Sequence, residues 1–114
     1  MSAGLSINDT AAWGTNGAVK ALVGAMHREA AERLGSNAPL TVFLRSEHDA
    51  FFIGKVVFLD DWAKDAEGRS ELLEVMDSGV EQLLKQGIRS DYGRDWLSQI
   101  LASLRTALSE SDAV

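Results

Sequence analysis

The chain has two imidazoles, His27 and His48, and no cysteine. Thiolate metal sites, disulfides and cysteine nucleophiles are therefore excluded. His48 stands between Glu47 and Asp49, a setting for a weak metal ligand or an acid/base group. The same run is also an ordinary polar turn tip. His27, beside Met26, reads as the edge of a helical core face. No H-E-x-x-H or comparable ligand spacing occurs. Gly14-Thr15-Asn16-Gly17-Ala18-Val19-Lys20 brings glycines and a lysine together but lacks the spacing of a phosphate loop, and no strand is expected before it. Asp77-Ser78-Gly79 lacks the elbow that exposes a serine nucleophile. Ser78 and Gly79 instead allow a second helix to approach closely. No pattern forms a catalytic signature or a cofactor motif, so no cofactor is expected, and an enzyme is disfavoured but left open.

Residues 63–74 resemble part of an EF-hand calcium loop. Asp65, Glu67, Gly68 and Glu74 fall at its third, fifth, sixth and twelfth positions. Ala63 stands where the first carboxylate ligand belongs, and Ser70 where an apolar residue belongs. The element entering the loop reads as a strand rather than a helix. A solvated acidic loop followed by a helix cap accounts for the same residues, and no metal is expected.

The most directed signal is charge. Residues 47–77 hold nine acidic side chains against three basic ones, a balance of −6 that equals the net charge of the whole chain. The same stretch contains the apolar run from Phe51 to Leu59. An apolar strand followed at once by an acidic rim suits the holding of a partner. Net negative charge disfavours phosphate-backbone binding and favours encounters with basic surfaces. Aromatic residues beside charged ones are typical interface anchors, and they are equally typical of core edges. Trp13, Trp62, Trp96 and Tyr92 fit either role.

The elements that must position these residues follow from periodicity. Residues 1–9 read as a loose arm. Val19, Leu22, Val23, Met26, Ala30 and Leu34 recur at helical spacing, predicting a helix over 10–35 that Gly35 ends. Segments 39–45 and 50–59 read as an antiparallel hairpin around the turn 46–49. The second strand is apolar on both faces and needs cover on both. Leu72, Leu73, Met76, Val80, Leu83 and Leu84 predict a helix over 70–86, with Ser70 as N-cap and Gly87 as stop. Leu97, Ile100, Leu101, Leu104 and Leu108 predict a helix over 91–108, with a frayed tail over 109–114.

A chain of 114 residues with 46% apolar and 25% charged content fits one small domain. The expected class is α+β in the order α-β-β-α-α. A lone ribbon is marginal in water, so two copies are expected to complete the sheet edge to edge as a homodimer. No run approaches the ~20 apolar residues of a membrane span, and the start lacks the basic and apolar regions of a signal peptide. A cytoplasmic location is expected, with contact neither to membrane nor to nucleic acid.

The leading expectation is a non-enzymatic protein-binding module. It would present Glu47, Asp49, Asp60, Asp61, Asp65 and Glu67 to a basic partner, with Phe51 and Trp62 as apolar anchors. In size and charge it resembles immunity proteins and secretion chaperones. The alternative is a small-molecule or enzymatic pocket between hairpin and helices, with His27 or His48 as its polar group.

Overall fold

The computed structural model describes residues 2–7, 10–86 and 91–112. Over these residues it is a compact α+β domain of one three-stranded sheet and four α-helices. Strands β1 (Ser2–Ile7) and β2 (Thr10–Thr15) form an antiparallel pair, and β3 (Val56–Phe58) joins the other edge of β1 in parallel, giving the order β2-β1-β3. Helices α1 (Asn16–Leu34) and α2 (Pro39–Asp49) lie between β2 and β3 in the chain. A 3-10 turn (Asp60–Trp62), α3 (Ala66–Lys85) and α4 (Asp91–Asp112) follow.

The α+β class is as the sequence predicts, but the hairpin lies elsewhere. Residues 1–9 are no loose arm, because β1 is the central strand. Its Ala3, Leu5 and Ile7 are fully buried, and their alternation with Gly4 and Ser6 is the period of a strand. Residues 10–15 extend as β2 rather than opening the helix. Thr15 then caps α1, its hydroxyl accepting from the Ala18 N–H at 3.2 Å.

Residues 39–49 form a helix instead of a strand. Pro39 occupies the first helical turn, where its missing N–H costs nothing. Leu40, Thr41 and Leu44 share the buried face, a helical spacing that overrides the β-branched propensity of the run. The apolar segment 50–59 keeps only three residues in strand. Val57 and Leu59 point into the core, while Phe58 points away from it. A turn over 52–55 precedes β3, closed by the Lys55 N–H donating to the Phe52 carbonyl at 3.1 Å. Gly54 sits there at φ 84°, a conformation that glycine adopts without strain.

α3 begins four residues before the expected Ser70. Asp65 is its N-cap, accepting from the Gly68 N–H at 2.6 Å. The expected stop at Gly87 lies outside the described residues. α4 continues to Asp112, past the expected end at 108, and its Trp96, Leu97, Ile100, Leu104 and Leu108 are buried.

α1 is the hub of the helical layer. It packs against α2 on one side and α3 on the other and also meets β1 and β2. A Cβ added at Gly79 of α3 would stand 3.3 Å from both Cγ and the backbone nitrogen of Met26. The close helix approach expected at Gly79 is therefore made to α1.

Candidate functional site

The 3-10 turn and the first turns of α3 make a shallow groove of about 290 Å³ open to solvent. Asp61, Trp62, Lys64, Asp65, Glu67, Gly68 and Glu71 line it. Local chemistry explains its shape. Asp65 must turn its carboxylate back onto the start of α3 to cap it, and Glu67 suits the positive end of the helix dipole. Glu71 follows one turn after Glu67 on the same helix face. Lys64 is the groove's one cation and is engaged by Asp61, with Nζ and Oδ1 3.2 Å apart.

Trp62 is half-buried and packs on Phe43 of α2, with ring centroids 5.3 Å apart. Its indole nitrogen is buried without a hydrogen-bond partner. Trp62 and Glu71 also line a second, apolar depression of about 270 Å³, completed by Leu34, Ala38, Pro39 and Leu40. The two depressions share a wall. One side is acidic and the other aliphatic, with the indole between them.

Four of the eight predicted site residues, Asp61, Trp62, Asp65 and Glu67, come together here. The other four do not join them. Glu47 holds Lys55 in a 2.7 Å ion pair that is largely shielded from water. Asp49 lies at the end of α2, its Oδ1 3.7 Å from His48 Nδ1. Phe51 is half-buried and packs against the core. Asp60 opens the 3-10 turn, exposed, and does not line the groove.

Glu71 and the aliphatic slot escaped the sequence reading. The slot is built from the junction of α1 and α2, and a strand at 39–45 would never have formed it. Pro39 followed by Leu40 and Leu44 was the signal for a helix start there.

The other chemical candidates take structural places. The calcium-loop likeness of 63–74 is not realised, because residues 66–74 are helix and Asp65 is its cap. No group of three or more metal-ligating side chains converges among the described residues. Gly14 to Lys20 does follow a strand, contrary to expectation, but the Asn16 side chain accepts from the Gly54 N–H at 3.0 Å. Ser78 Oγ accepts from Arg33 at 2.5 Å, and Asp77 pairs with Arg105. His48 packs its ring against Gly24 of α1, and His27 is half-buried on that helix. Neither histidine lines the acidic groove, the aliphatic slot or the polar cleft between α1 and α3. Trp96 is buried over β2, and the Tyr92 side chain lies outside the described part. No helix of the described residues is long and apolar enough to cross a membrane.

No family model matches the chain, and neither a curated protein nor a solved structure does.

Proposed function

We propose that this chain is a non-enzymatic binding module that holds a partner protein by a basic segment carrying an apolar side chain. The observation that carries the reading is the shared wall. Asp61, Asp65, Glu67 and Glu71 gather around Trp62, and Trp62 and Glu71 also border an aliphatic slot. The carboxylates would draw in a cationic segment from solution. The slot and the indole would then hold one apolar side chain, and such anchors set the dissociation rate more than surface charges do. A cysteine-free, acidic chain of this kind suits work in the cytoplasm.

An amphipathic Lys/Leu peptide titrated into the ¹⁵N-labelled chain tests the reading. Shifts should concentrate at residues 61–71 and at the Trp62 indole N–H. Affinity should fall at least about tenfold between low and high salt, because exposed charges are screened within ~10 Å at 0.1 M. Shifts elsewhere, or an affinity indifferent to salt, would overturn it.

A further inference from the structure

The four carboxylates of the groove are not equally open. Asp65 uses one oxygen to accept the Gly68 N–H at the start of α3. Asp61 holds the Lys64 ammonium, with Nζ and Oδ1 3.2 Å apart. Among the described residues, the Glu67 and Glu71 side chains have no such partner. The Trp62 indole N–H of the same groove is buried without an acceptor, a second sign of a site built to meet something else.

The pair of Asp61 and Lys64 does little for the fold. The two side chains are 81% and 73% exposed, and an ion pair so open to water adds little to stability. Its effect falls instead on any cation that approaches Asp61 from outside. Tethered three positions away, the ammonium stands at an effective concentration of about millimolar, so an incoming cation meets a resident competitor.

We infer that Lys64 regulates the groove by occupying Asp61 in place of a cation of the partner, an inference that rests on the reading of the groove as a holder of basic segments. Four carboxylates against one ammonium give the lining a formal balance of −3, which becomes −4 when Lys64 loses its charge. The partner's first cation goes to Glu67 and Glu71. A second cation has to displace Lys64 from Asp61. Neutralising Lys64 therefore tightens the groove, and it does so more for segments with several cations than for segments with one.

Fluorescence anisotropy at low salt, with a labelled Lys/Leu peptide carrying several lysines, tests the inference. Lys64→Gln should bind about two- to fivefold more tightly than wild type, the range set by one exposed ion pair. Lys64→Arg keeps the charge and should bind within about twofold of wild type. Lys85 supplies the control. It is 74% exposed, pairs with Glu81 and does not line the groove, and Lys85→Gln changes the net charge by the same amount. Its affinity should equal that of wild type. The gain in Lys64→Gln should shrink as salt is raised, because screening weakens exposed charges, and should be smaller for a peptide with one lysine. A Lys64→Gln variant that binds no more tightly than wild type, or a Lys85→Gln variant that gains as much, defeats the inference. One readout needs no variant. The Lys64 ¹⁵Nζ resonance of the wild type should move on saturation with peptide as the ammonium leaves Asp61, and an unmoved resonance contradicts displacement. Amide shifts confined to residues 61–71 without these Lys64 effects leave the binding reading standing and remove the competitor. Amide shifts elsewhere remove both.

Discussion

The indole N–H of Trp96 donates to the backbone carbonyl of Trp13 at 2.7 Å, tying α4 to an edge strand 83 positions earlier. The Trp96 ring lies over Gly14, where a methyl group would collide with it. One side chain thus joins the last helix to the sheet and caps part of the β2 edge, which would otherwise offer an unpaired carbonyl.

Trp96→Phe keeps most of the ring and removes the donor. The variant should lose about 1 kcal/mol of stability, the net value of one such bond. Gly14→Ala should lose roughly 1–3 kcal/mol, the usual cost of overpacking. Urea midpoints at constant m-value report both. A Gly14→Ala variant as stable as wild type would show that the indole does not sit against β2.

Gly79→Leu should destabilise by roughly 1–3 kcal/mol, because Met26 Cγ and backbone lie 3.3 Å from the position of an added Cβ. Leucine has the better helix propensity by ~1 kcal/mol, so an isolated α3 peptide should gain helicity from the same change. Opposite signs in peptide and protein, read by circular dichroism, isolate the α1–α3 contact.

Asp65 has two roles that substitution separates. Asp65→Asn should preserve stability, since asparagine caps as well as aspartate, whereas Asp65→Ala should cost about 1 kcal/mol. Both remove one carboxylate from the groove, so both should weaken binding of the Lys/Leu peptide. Full affinity in Asp65→Asn would remove this residue from the binding surface.

Glu47 should behave in the opposite way. Its ion pair with Lys55, at 2.7 Å, is mostly shielded, and the Lys55 ammonium also lies 4.9 Å from the centre of the Phe52 ring. Glu47→Ala leaves that largely shielded ammonium without its carboxylate and should cost roughly 1–3 kcal/mol. Peptide affinity, measured by fluorescence anisotropy, should not change.

The legible parts of this fold were those where one period dominates. The stripe from Leu97 to Leu108 and the run from Val19 to Ala30 are read as helices and are helices. The run from Pro39 to Leu44 misleads because its β-branched and aromatic side chains suit a pleated surface. Its packing against α1 rests on Leu40, Thr41 and Leu44 one turn apart. Ala3, Leu5 and Ile7 carried the period of a strand in residues too small and too few to stand out. The acidic half of the groove was visible because Asp61 to Glu67 lie within one local segment. The aliphatic half was not, because Leu34, Leu40 and Trp62 meet only through tertiary packing. The ion pair of Glu47 with Lys55 was not legible for the same reason, its partner being fixed by where α2 comes to rest.

The position of β1 has a bearing on how the molecule assembles. The ribbon of β1 and β2 is local and could close early, but Gly4 finds its parallel neighbour Val56 only after α1 and α2 have been laid down. Until then the centre of the sheet is an open border, able to accept a foreign strand. During synthesis, β1 must wait for the 52 positions that separate Gly4 from Val56 before its second side is closed.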